Sequence, residues 1–480
     1  MSATAQKLVF ESLVDSQEEP TLRRGALGLT GLMAQSVAGL APSTSISVPI
    51  VVVAIVSGNG AWLVWLISTV VMLAVSASLA MLSRRFVAAG GLYSLNSCGH
   101  PAFGAVTAWV GLLGCITGGA TTPLLFGIFL QSFLADLGIH TGDGALLATM
   151  ILVTVAAGLL AWRDTSVSAR FVLAIEGLSL VAILSLVALV LYRHTGHWID
   201  LDQISLRGVD AHGVAAGIVL GLGAYGGFEA SCSFGIEARK PQTHIALSLI
   251  GSVVGAGLLF VLCSYVLRLG FHGVNIAATH NSNPWSDLAL LNGSPMLRYV
   301  IQLGVLISVF SMFVTNFNVW SRMLLTLSRE RLLPSLFGRI DKNTRTPAVA
   351  ILAAVLLAIG FHIFLVATGY ATRNLYSLIC ALSGYWFTAT YVLICAAMFT
   401  YQLRNRRLLW WHPLVAAVGS VPLALSIFGS ILPLPQFPDN IAPLFFLASA
   451  LTLLLQLAYF ARRRPEILSR IGASVESDAA

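Results

Sequence analysis

Twelve apolar runs, most of twenty residues or longer, occupy most of this 480-residue chain and leave it few ways to fold. At 1.5 Å rise per residue, about twenty helical residues cross the roughly 30 Å hydrocarbon core of a bilayer. The runs lie at about 26–55, 61–83, 102–135, 144–162, 169–192, 213–236, 244–267, 298–321, 347–368, 374–400, 412–433 and 440–461. They are continuous rather than alternating, which argues for helices and against the strands of a membrane barrel. Only 10% of the residues are charged, against about 25% in an average soluble domain. The expected fold is an all-α integral membrane protein with twelve transmembrane helices.

An even number of crossings puts both termini on one side, and charge tells which. With that side cytoplasmic, the inner segments hold 22 Lys and Arg and the outer loops five, the bias of the positive-inside rule. Residues 1–25 and 462–480 then form cytoplasmic tails of a multi-pass cell (inner) membrane protein. The first twenty residues contain no uninterrupted apolar core, so no secretory signal is expected. The net charge of +7 comes in twos and threes between spans, without the continuous stripe that tracks nucleic-acid phosphates. The six cysteines are scattered, with no C-x-x-C spacing for a metal. No phosphate-binding loop, nucleotide fingerprint or catalytic triad pattern appears, and the loops are too short for an ATPase domain. Neither an enzyme nor a cofactor nor a metal is expected.

Two spans are interrupted. The first carries GLAPSTS at residues 39–45, where Pro42 removes a backbone donor and Gly39 weakens the helix. The sixth carries GLGAYGGFEAS at residues 221–231, with four glycines and Glu229. Freed backbone is tolerated at bilayer depth only inside protein or along a watery cavity. A proline kink and close glycine packing would explain the breaks separately, but they leave Glu229 without a purpose. Interrupted helices at matching positions in two halves are the sequence sign of a transporter's midplane site.

Three segments carry a family resemblance: AAGGLYSLNSCGHPAFGAVTAWVGLL at 88–113, GGFEASCSFGIEARKP at 226–241 and NVWSRMLLTLSRERLLPSLFGRIDKNTRTPAVAI at 318–351. Together they resemble the amino acid, polyamine and organocation (APC) transporter superfamily, and the likeness runs over nearly all of residues 25–400. The resemblance implies a leucine-transporter-like fold of two inverted five-helix repeats, 26–192 and 213–400, followed by two peripheral helices at 412–461. It implies discontinuous first and sixth helices whose unwound parts grip an amino acid's amino and carboxylate groups: Gly39, Leu40, Ala41, Pro42, Ser43 and Thr44, with Ala224, Tyr225, Gly226 and Gly227. The chain departs from the family in having LAPST where many members have a Gly-x-Gly break. It also has Gly223 where arginine and agmatine antiporters place a tryptophan, so a neutral or small substrate is expected.

Further polar residues lie within the spans. Glu176 is either a structural hydrogen-bonding group, a proton carrier or part of a cation site. Ser308, Ser311 and Thr315 share helical spacing and could ligate sodium, or bond their own backbone. His362 reads as structural or as a titrating group. Tyr385, Trp386, Phe387 and Tyr391 crowd the tenth span as pocket lining or interfacial anchors. The function expected is a permease importing an amino acid by proton symport, in preference to sodium, through alternating access. Glu229 is the main proton site and Glu176 the secondary one. The alternatives are a polyamine or amine permease, an exchanger and a non-transporting sensor. The other partner expected is the lipid bilayer, with no nucleic acid.

Overall fold

The computed structural model describes residues 21–163, 165–272, 276, 284–367 and 372–477. Residues 1–20 and 478–480, most of one expected tail and the end of the other, lie outside the described residues.

The first span is three helices. α1 (Leu29–Leu40) ends at Ala41, which adopts a left-handed conformation (φ 46°, ψ 65°) and opens α2 (Pro42–Ser47); Val48 then leads into α3 (Pro49–Ser57). Both prolines stand at a helix start, where a missing N–H costs nothing. α3 continues through a 3-10 turn, Gly58–Gly60, into α4 (Ala61–Ser83). Among the described residues eleven stretches are long and apolar enough to cross a membrane, against the twelve expected. The difference lies here: no piece of the broken first span reaches eighteen residues alone, and its last piece joins the second.

The chain continues through β1 (Phe86–Val87), α5 (Leu92–Ser97), α6 (Pro101–Asp136), α7 (Asp143–Trp162), α8 (Thr165–Arg193) and the short α9 (Leu201–Ile204). The sixth span is α10 (Ala211–Gly223), a turn, and a 3-10 helix, Phe228–Phe234. Then come α11 (Pro241–Gly270), α12 (Pro284–Leu291), α13 (Pro295–Arg329), a 3-10 turn Ser335–Gly338, α14 (Ala348–Ala367) and α15 (Thr372–Arg404). α16 (Trp411–Ile431), α17 (Ile441–Arg463), α18 (Pro465–Arg470) and β2 (Glu476–Ser477) complete it.

The helices pack in two groups. α4 lies along α11, with α1, α3 and α10 gathered against them; α6 lies along α13, with α7 and α14 against those. α8 joins the groups by touching α1 and α13, and α15 does so by touching α4 and α6. Leu152 and Leu258, both mid-helix, are 70% exposed. In water each would forgo about 1.5–3 kcal/mol of burial, so this outer surface suits lipid.

Arg322 departs from its expected place among the inner-segment charges. α13 runs on to Arg329, and Arg322 is fully buried within it. Its Nε and Nη2 donate to the two carboxylate oxygens of Glu237 at 2.7 and 3.0 Å, Nη1 donates to the Asn318 carbonyl at 2.9 Å, and the guanidinium lies 4.2 Å from the Phe234 ring centre. The loop charge bias is one residue smaller for it. At the same end of the bundle, Arg24 and Glu476 pair at 2.7 Å, so both described ends of the chain meet at one face, called here the terminal face.

Candidate transport site

The two breaks touch. A Cβ on Gly39 would stand 2.4 Å from the Gly227 carbonyl oxygen, and a Cβ on Gly227 would stand 2.2 Å from the Gly39 oxygen. Gly227 also has φ 97°, a conformation L side chains rarely adopt. Only glycine at both positions lets the backbones cross this closely. Ser45 Oγ stitches the crossing, donating to the Leu40 carbonyl at 3.3 Å or the Ala224 carbonyl at 3.2 Å. Sequence reasoning passed over Ser45; its signal was the hydroxyl run PSTSIS just after the break.

Each break has a carboxylate. Glu229 lies in the first turn of the 3-10 helix, and its Oε2 accepts from the Gly227 N–H at 3.0 Å and the Tyr391 hydroxyl at 2.8 Å. Glu176 reaches over from α8, and its Oε1 accepts from the Ser43 N–H at 3.2 Å and the Ser43 hydroxyl at 3.1 Å. Both carboxylates are buried. A carboxylate taking two donors is held in one rotamer, and losing its charge would weaken both bonds.

The remaining candidates divide. Thr44 Oγ1 donates to Ser308 Oγ at 3.3 Å, beside Glu176, but Ser311 Oγ donates to its own Ile307 carbonyl, so the two serines do not assemble into one site. Thr315 is buried without a hydrogen-bond partner for its hydroxyl among the described residues. Tyr225 turns toward α4, bonding Thr69 at 2.7 Å and packing on Trp65 and Phe260. Gly226 closes a turn by donating to the Gly223 carbonyl. His362 pairs with Thr154 at 3.0 Å and ties α14 to α7, and Tyr385 donates to the Ser430 carbonyl on α16.

A cavity opens from Glu229 toward the terminal face. Its walls are Thr107, Val110, Gly111 and Gly114 of α6, Val319, Trp320 and Met323 of α13, Trp386, Phe387 and Thr390 of α15, with Ser233, Gly90, Leu92 and Tyr93. Residues 39–44 and 224–227 are not part of this wall; of the expected residues Glu229 meets it, as do Trp386 and Phe387 of the tenth span, while Tyr385 and Tyr391 do not line it. α6 supplies the space. A Cβ on Gly111 would strike the Met323 sulfur at 2.4 Å, whereas one on Gly114 would meet nothing within 4 Å. The residues at 104, 107, 111 and 114 form one face of the helix. That spacing of small residues is legible in the sequence.

The sequence model of the amino acid permease family matches residues 29–455. The chain is 25% identical to an uncharacterized transporter of Rhizobium meliloti over 49% of this chain and 50% of the relative. It is 23% identical to the glutamate/serine transporter AimA of Bacillus subtilis over 62% of this chain and 58% of the relative. To the branched-chain amino acid permease BcaP of Lactococcus lactis it is 25% identical over 66% of this chain and 72% of the relative. Against the first two the matched stretch spans about half the relative's length.

Proposed function

The chain belongs to the amino acid permease family, and from that premise we propose that it is a secondary active importer of an amino acid, driven by a proton and working by alternating access. The observation that carries the reading is the position of Glu229. It is bonded to the N–H at the sixth-span break and also lines the cavity, so its protonation can alter the break and the substrate's surroundings together. Protonated, it loses acceptor strength toward Gly227 and Tyr391. Glu176, bonded to Ser43 at the other break, is the secondary proton site. The amino acid's polar groups reach past Glu229 to backbone at 39–44 and 224–227, which lies beyond the cavity wall described above.

The topology proposed is twelve crossings with both termini cytoplasmic, in two inverted repeats. Two ends on one face favour an even number of crossings, which makes α1–α3 a single crossing. Spans five apart pack on each other, α4 on α11, α6 on α13 and α7 on α14, as a two-fold axis between repeats would produce. The cavity's aromatic and apolar wall favours a substrate with an apolar side chain.

The test is uptake of radiolabelled leucine, serine and putrescine into proteoliposomes, with and without an imposed pH gradient. The expected outcome is leucine accumulation that requires the gradient. Putrescine uptake would make the protein an amine permease; exchange without net accumulation would make it an exchanger; binding without any uptake would make it a sensor.

A further inference from the structure

The last described residues cross the terminal face and pack on elements that carry the cavity's wall. Ile471 lies where a Cβ on Gly104 would touch it at 2.6 Å, one turn of α6 before the cavity residue Thr107. Gly472 has φ 78° and sits so close to Ser97 that a Cβ there would stand 2.4 Å from the serine Oγ. The Gly472 N–H donates to Glu330 Oε2 at 3.0 Å, and the Ser474 N–H and hydroxyl donate to Oε1 at 3.1 and 2.6 Å. The same Oε2 accepts the hydroxyl of Tyr93, a cavity-wall residue. Glu330, just past α13, is 4% exposed. Beyond it β2 pairs antiparallel with β1, Phe86 opposite Ser477 and Val87 opposite Glu476, three residues before the cavity residue Gly90. Arg24 pairs with Glu476 on the far side.

A short terminal segment held by one buried carboxylate, a two-residue strand pair and an ion pair is unlike a solvated tail. Two of the fastenings end on elements that form or border the cavity wall: Glu330 follows α13 and bonds Tyr93, and β1 leads to Gly90. We propose that residues 471–477 form a strap across the cavity's mouth at the terminal face, fastened by Glu330, and that detachment of the strap opens the path between the cavity and that side of the membrane. This rests on the transport reading for its consequence but not for its geometry. Neutralising Glu330 leaves Tyr93 and Ser474 bonded to a weaker acceptor. Loss of a single bond to a charged group shifts such an equilibrium by about tenfold or more.

The test uses a cysteine at Ser233, on the cavity wall, in a background without the six native cysteines. Its reaction with a bulky maleimide is timed in purified, monodisperse protein. Truncation after Arg470 and, separately, Gly472→Val are each expected to speed labelling about tenfold or more and to raise the initial uptake rate, with KM little changed. Gly472→Val keeps the full chain, so it serves where the truncated protein does not stay folded. Unchanged labelling in either folded variant overturns the strap. Faster labelling in a protein that moves no amino acid upholds the strap and sinks the transport reading instead.

Discussion

The breaks in the first and sixth spans meet at one crossing, yet they are built by different chemistry. In the first, prolines open α2 and α3 and an alanine, Ala41, carries the left-handed turn. In the sixth, Gly227 takes the positive φ and no proline is present. Their carboxylates differ in the same way. Glu229 bonds an N–H two residues away as well as the Tyr391 hydroxyl on α15, so it responds to the shape of its own segment in addition to its helix neighbour. Glu176 bonds a residue 133 positions away, so it responds to how far α8 stands from the first span. One carboxylate caps its own break as well as meeting α15, and the other is a brace between helices without a local cap.

That contrast can be broken most severely at the glycines. Gly227→Ala adds a Cβ at 2.2 Å from a carbonyl oxygen and forces a positive φ, whereas Gly39→Ala adds only the close contact at 2.4 Å. Overpacking costs about 1–3 kcal/mol and the left-handed conformation about 1–2 more. Both variants should lose nearly all uptake, with the larger drop in thermal stability for Gly227→Ala. A larger drop for Gly39→Ala would mean that the first break is the more rigid of the two.

A smaller effect separates cap from brace. Glu229→Gln should retain substrate exchange and lose accumulation driven by a pH gradient, while Glu176→Gln should show a partial loss. Counterflow and gradient-driven uptake measured side by side check this. Accumulation by Glu229→Gln from a pH difference alone would reduce Glu229 to a structural group. The smallest effects are expected one bond further out. Tyr391→Phe removes one of two donors to Glu229 and should move the pH dependence of uptake. Ser43→Ala likewise removes a hydroxyl and leaves a backbone N–H, but from Glu176, the secondary proton site, and should move it less. Equal shifts in the two variants would erase the distinction between cap and brace.

The helices were legible because burying a continuous apolar run in lipid needs no partner to explain it. Ala61–Ser83 follows the expected 61–83, and α6, α7 and α15 extend only a few residues past their expected ends. The positions of both breaks were also legible, since proline and glycine act on their own backbone. What they touch was not: nothing near Gly39 specifies Gly227, and nothing near Glu176 specifies Ser43. Arg322 read as a loop charge because its partner Glu237 lies 85 residues earlier. The docking of the tail is illegible for the same reason, with Glu330 hidden among basic neighbours and its partners in the tail more than 140 residues on. Side chains that act at a distance leave only a costly residue in the local sequence, as Glu229 did.

The pair formed by Arg322 and Glu237 also bears on timing. Arg322 belongs to α13, in one packed group, and Glu237 follows the sixth span, whose neighbour Ala238 is bridged to Leu27 just before α1, in the other. Any sliding of one group past the other pulls on this contact. Parting a buried ion pair costs about 3–5 kcal/mol when a charge is left behind, and each 1.36 kcal/mol slows a step about tenfold. A conformational cycle that parts the two would therefore wait at this contact, about a hundredfold or more longer than the rest of the interface requires, and the pair would act as the molecule's clock.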